Sequence, residues 1–216
     1  MTVTYPYLLV VVDGPSEARD ATRGVESGGV VRKVIACIFG DDVAGSIEIQ
    51  YWHHVLRPPA HRARGHAEKA KRLAELADAK TAYGAVMLLD NDHKDERGGS
   101  VRLRELREGV ESSGVRHRAA VGIAREMIEA WLLADPDLVT LPLPAGKRCE
   151  ELWGAKDDGS SNYPKHVLRR CVLEPRAWTH VEAVEAWSPE RSRPNAQSLH
   201  EFMEEVERLA RSQGVD

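Results

Sequence analysis

Two carboxylates separated by one residue follow one of the most apolar segments of the chain. Residues 85–89 are all apolar, and Asp90 and Asp92 come directly after them. A run of this kind is typical of a buried strand, and α/β proteins bind ligands and metals at the carboxyl ends of such strands. A second apolar run, residues 8–12, ends in Asp13. The pattern predicts two buried strands that carry acidic side chains to one edge of a sheet.

Carboxylate oxygens are the ligands that Mg²⁺ and Mn²⁺ prefer in proteins. Acids from two strand ends converge when the strands are neighbours in a parallel sheet. We therefore predict that Asp13, Asp90 and Asp92 bind Mg²⁺ or Mn²⁺, which would polarise a phosphoryl group. The alternative is structural, because Asp and Asn are also common in turns and as helix caps.

The elements that position these acids alternate between strand and helix, which predicts an α/β fold with a mainly parallel sheet flanked by helices. Strands are expected at residues 7–12, 30–39, 47–55, 85–89 and 116–123. Helices are expected at residues 16–25, 66–80, 100–111, 124–136, 163–173, 178–187 and 196–212. Prolines, glycines and short helical patterns replace strands after Pro136. We expect a core over residues 1–140 and a helical C-terminal extension, residues 141–216, packed on it.

One further acid lies on the helix expected after the last strand. Successive helical residues are about 100° apart, so Glu129 and Trp131 point to opposite sides. We expect Glu129 to face the acidic cluster, with Glu126 near the same face, while Trp131 and Leu132 face the core.

Composition limits the classes of protein. The chain has 216 residues, three widely spaced cysteines and a net charge of −4. Such cysteines argue against a disulfide framework or a zinc knuckle, and the charge argues against a dedicated nucleic-acid binder. No membrane span or signal segment is evident, which predicts a cytoplasmic protein. Local basic groups are candidates for substrate phosphate, with a solvated helix surface as the alternative: Arg62, Arg64, Lys69 and Arg97.

Three segments resemble a known family. Residues 10–17, Val-Val-Val-Asp-Gly-Pro-Ser-Glu, and residues 88–92, Leu-Leu-Asp-Asn-Asp, resemble the Toprim domain of topoisomerases, primases and the overcoming-lysogenization-defect nucleases. Residues 129–135, Glu-Ala-Trp-Leu-Leu-Ala-Asp, are closer still to the Toprim-like family DUF4276. The resemblance covers residues 5–140 and implies a Toprim-like sheet.

The resemblance also implies metal-dependent phosphodiester chemistry. Asp13 would be a metal ligand or general acid/base, and Asp90 and Asp92 would bind metal. Glu17 and Glu129 would complete or flank the catalytic site. The first acid of the family pattern is usually Glu, whereas Asp13 is one methylene shorter.

Three functions are consistent with these residues. The first is a Mg²⁺- or Mn²⁺-dependent nuclease or phosphoesterase acting on nucleic acid. The second is a non-catalytic Toprim-like subunit that binds a partner. Toprim domains of the overcoming-lysogenization-defect nucleases work with an ATPase, and this chain has no Walker loop. The resemblance therefore implies that the partner would be a separate ATPase in a defence system. The third is a small-molecule phosphatase or phosphotransferase.

Overall fold

Four parallel strands form the centre of the molecule. The computed structural model describes residues 8–12, 27–52, 65–91, 96–115, 119–125, 128–140 and 163–212. The strands are β1 (Leu8–Val12), β2 (Ile47–Tyr51), β3 (Gly84–Asn91) and β4 (Ala119–Arg125). Their order in the sheet is β2-β1-β3-β4, so β1 and β3 are central neighbours. The predicted α/β class with a parallel sheet is confirmed, and the Toprim-like assignment stays a prediction.

Helices cover the sheet and make up the C-terminal region. In the described part of the chain they are α1 (Ser27–Phe39), α2 (Asp41–Gly45), α3 (His66–Ala79), α4 (Glu96–Ser112), α5 (Ile128–Leu133), α6 (Pro164–Leu168), α7 (Glu174–Arg176), α8 (His180–Ala186), α9 (Pro189–Ser192) and α10 (Gln197–Ser212). A π-helical turn, Arg169–Leu173, joins α6 to α7, and a 3-10 turn, Arg193–Asn195, follows α9.

The core lies in two layers, one on each face of the sheet. Val10 and Val12 of β1 pack in the layer that α1, α5 and α10 share, whereas Leu9 and Val11 pack in the layer of α3 and α4. Every β1 side chain is at most 1% exposed. An apolar run without alternation is what a parallel strand covered on both faces requires.

The strand expected over residues 30–39 is wrong, because this segment is helix α1. Its β-branched residues favour a strand by composition, but its apolar positions recur at helical spacing. Val30, Val31, Val34 and Ile35 are fully buried on one side of the helix. Burial of this stripe against the sheet outweighs the local preference of valine and isoleucine for strands.

The helix expected at residues 16–25, and Glu126, lie outside the described residues, and the remaining expected elements differ from those observed mainly at their ends. β2 is an edge strand and ends at Tyr51. The last strand continues through Ala124 to Arg125, so the helix expected from residue 124 begins only at Ile128. The boundary at residue 140 stays a prediction. Of the described helices, none combines the length and apolarity needed to cross a bilayer.

α10 closes one face of the sheet at its edge strand. A Cβ atom added to Gly122 of β4 would lie 2.4 Å from Cδ2 of Phe202, which is fully buried. A side chain at position 122 would therefore push α10 away from the sheet. This glycine allows a helix of the C-terminal region to share the core of the sheet.

Candidate functional site

The strand order reverses between β1 and β3. The chain passes from β1 to β2 through α1 on one face, then returns past β1 to β3 through α3 on the other face. In open α/β sheets, ligands bind outside the carboxyl ends of the strands at such a reversal. Val12, the last residue of β1, is in register with Leu88 of β3. This rule places the candidate ligand site, which we call the crevice, where β3 ends in Asp90 and Asn91.

Asp90 is buried at this edge and links it to α5. The residue is only 7% exposed, and its Oδ1 accepts a hydrogen bond of 3.2 Å from the backbone N–H of Ile128. This contact resembles a helix cap, but it is made to the first residue of α5 and not to α4, the helix that comes next in the chain. It also fixes the beginning of α5 against the end of β3.

Glu129 follows Ile128 and is brought to the same edge. It is 1% exposed, and its Oε1 lies 3.7 Å from Nζ of Lys165 on α6. A buried carboxylate is costly without a nearby cation, and Lys165 supplies one from the C-terminal region. Sequence reasoning gave Lys165 no role, since a single lysine beside Pro164 carries no distinctive spacing.

Two polar groups lie on the α4 side of the end of β3. Asn91 is 5% exposed, and its side-chain oxygen has no hydrogen-bond partner among the described residues. Arg102 of α4 donates from Nη1 to the carbonyl oxygen of Asp90 over 3.4 Å. Since side chains alternate along a strand, Asp90 and Asn91 point to opposite faces. The crevice is therefore polar on both sides of β3.

Trp131 and Asp135 of the same segment hold the C-terminal helices. Trp131 is fully buried, donates from Nε1 to Oγ of Ser198 over 2.9 Å and stacks on Phe202. Asp135 is also fully buried and accepts hydrogen bonds of 2.8 Å from both Nε and Nη2 of Arg191. These residues have packing partners that account for their presence without a catalytic role. The expected placement of Trp131 in the core is observed.

The charge of Asp135 is stabilised in place. Burial by itself raises the pKa of the Asp135 carboxyl, but hydrogen bonds from Arg191 and from the backbone of Ser188 and Asp137 bring that pKa below its ordinary value. Hydrogen bonds to the ionised form outweigh desolvation when several converge on one carboxylate. Asp135 and Arg191 thus form a charged clasp between the end of α5 and α9, which we call the Asp135 clasp.

Most of the other expected site residues lie outside the described part of the chain: Asp13, Glu17, Asp92, Arg62 and Arg64. The side chain of Arg97 is likewise outside it. Lys69 is described, and its Nζ lies 5.0 Å from the ring centroid of Trp52, just beyond β2. This cation–π contact places Lys69 near the carboxyl edge of β2.

Two of the described carboxylates are candidate donors for a cation. No three His, Cys, Asp or Glu side chains in the described ranges lie together as a metal-binding group. Asp90 of β3 and Glu129 of α5 are nevertheless two buried carboxylates, and hard oxygen donors are the chemistry that Mg²⁺ and Mn²⁺ require. The donor set therefore fits these cations, with Asp13 and Asp92 as the further expected ligands.

Comparison of the chain with protein-family models, with curated protein sequences and with solved structures gave no match. The Toprim-like resemblance therefore depends on the motif residues alone.

Proposed function

We propose that this chain is a Toprim-like, Mg²⁺- or Mn²⁺-dependent phosphodiester hydrolase that acts on nucleic acid. One observation carries the proposal: Asp90 holds the first residue of α5, which brings buried Glu129 to the end of β3. Glu129 is thus the next residue in the chain after the one whose backbone Asp90 binds, at the reversal of strand order where α/β sheets bind ligands. The neighbouring, parallel arrangement of β1 and β3 supports a shared site with Asp13.

The proposal gives the described residues distinct tasks. Asp90 would hold the cation together with Asp13 and Asp92, and a bound cation supplies polarisation of a phosphoryl group. Glu129 would orient the attacking water or accept its proton, because a buried carboxylate beside a cation is suited to general base catalysis. Lys165 is 28% exposed and lies against Glu129, so it reaches from the buried acid toward solvent.

Cleavage assays test this function. Purified protein would be incubated with plasmid, single-stranded DNA and RNA, each with Mg²⁺ or Mn²⁺, and we expect cleavage of one of these substrates. Glu129→Gln should lower the rate at least about 100-fold, which is the usual contribution of a general base. Asp137→Asn is the matched control, because its carboxylate is 71% exposed and lies outside the crevice.

Three outcomes would replace the proposal. Hydrolysis of small phosphomonoesters without cleavage of nucleic acid would favour a phosphatase. Absence of all hydrolysis, together with capture of a separate ATPase, would favour a non-catalytic subunit. Cleavage that Glu129→Gln leaves unchanged would remove Glu129 from the catalytic machinery.

A further inference from the structure

Arg102 differs from the other arginines on the same helix. Arg104 lies 3.6 Å from the carboxylate of Glu108, and Arg107 lies 3.2 Å from that of Glu205. Within the described residues, no carboxylate lies within ion-pair distance of Arg102, and its hydrogen bond to the carbonyl oxygen of Asp90 is long, at 3.4 Å. A guanidinium has five N–H donors, so most of its donors are available to a ligand.

Arg102 lies beside a second polar group that lacks a partner among the described residues. Its guanidinium lies at the carboxyl end of β3, beside the edge that carries Asp90 and Asn91. The buried Asn91 oxygen, which has no partner among the described residues, is a second independent sign that this side of the crevice receives a polar group. Buried acceptors normally have a donor, and a ligand hydroxyl or a water that it carries would provide one.

We propose that Arg102 binds a phosphate oxygen of the nucleic-acid backbone and so positions the strand against the acids at the end of β3. The planar guanidinium matches a phosphate in geometry and charge, whereas a carbonyl oxygen uses one of its donors. This assignment rests on the proposed function, because its ligand, nucleic acid, is the substrate named there. It selects Arg102 among the arginines of α4, whose basic sequence by itself does not distinguish one phosphate contact from another.

Binding without turnover tests the assignment. The affinity of a fluorescently labelled single-stranded oligonucleotide would be measured by anisotropy in EDTA, over a series of salt concentrations. Arg102→Met should weaken binding about tenfold, as expected for one charge-assisted hydrogen-bonding residue. It should also reduce the slope of log affinity against log salt by about 0.7, the value for one phosphate contact on a single strand. Arg102→Lys should keep the salt slope and lose part of the affinity.

Arg104→Met is the matched control, since Arg104 is on the same helix and has a carboxylate partner. Thermal melts of all variants would confirm that each is folded. The assignment is overturned if folded Arg102→Met and the parent bind equally, if Arg104→Met weakens binding as much, or if the parent binds no oligonucleotide. Parent binding that depends on Arg102 without any cleavage in Mg²⁺ or Mn²⁺ would support the assignment while refuting the hydrolase.

Discussion

Glu129 and Asp135 are carboxylates of one short segment, both buried, and their surroundings are opposite. Asp135 accepts two hydrogen bonds of 2.8 Å from Arg191 and one of 2.9 Å from the backbone of Ser188. Glu129 has a lysine as its nearby cation, with Oε1 3.7 Å from Nζ of Lys165. A bidentate arginine fixes a carboxylate in one geometry, whereas a partly exposed lysine is a mobile point charge, which suits an acid that must exchange partners during a reaction. Residues 129–135 thus contain a structural carboxylate, Asp135, and a candidate catalytic one, Glu129.

The sharpest test of this contrast replaces Asp135 by its amide. Asp135→Asn should lower the free energy of unfolding by about 3 kcal/mol, because breaking one side of a buried ion pair leaves the other group uncompensated. This value is at the low end of the range, since Arg191 is 41% exposed. Urea unfolding would measure the loss. Asp137→Asn, at an exposed position, should change stability by less than about 0.5 kcal/mol, and equal losses in the two variants would contradict the contrast.

Divalent metal should stabilise the folded protein through the acids at the end of β3, and Asp135 should have no part in this effect. At a metal concentration 100 times the dissociation constant, the expected gain is about 2.7 kcal/mol. Thermal melts with and without Mg²⁺ or Mn²⁺ would show this as a rise in Tm that Asp90→Ala abolishes and Asp135→Asn retains. A parent protein whose Tm is the same in both metals and in EDTA would refute a cation site.

Lowering the pH should weaken the Asp135 clasp gradually, and by less than Asp135→Asn does. The pKa of Asp135 is below its ordinary value in the folded protein. Its contribution to stability is therefore present above the unfolded pKa, about 3.9, and is lost as pH falls through the lower folded pKa. Urea unfolding of the parent below about pH 4 should show a loss that Asp135→Asn lacks. Parallel pH curves for the two proteins would contradict the assignment.

The smallest effect is expected at Glu129. Glu129→Gln should change the free energy of unfolding by less than about 1 kcal/mol, because the amide preserves the packing and removes the cost of burying a charge, and Lys165 already reaches solvent. The same urea series measures it, beside the cleavage assay. A loss as large as that of Asp135→Asn would show that both carboxylates are structural, and the contrast between them would fail.

Sequence patterns predicted the parallel sheet, the position of Asp90 at the end of a buried strand and that of Glu129 on the helix after the last strand, since apolar runs and the acids near them are local features. They failed for α1, where β-branched residues imitate a strand and burial against the sheet decides. They also could not find Lys165 or Arg191. Each of these cations meets its carboxylate only through the fold, from helices more than thirty residues later in the chain.

The close approach of Phe202 to Gly122 has a consequence for biosynthesis. β4 is complete at residue 125, yet the helix that seals its face ends at residue 212. At about 5–20 residues per second, the ribosome needs on the order of ten seconds to make the intervening chain. Throughout that interval the nascent sheet presents an apolar surface that α10 has not yet covered. Such a surface is a target for chaperones and a starting point for aggregation, and it closes only by a contact between distant parts of the chain, which forms slowly.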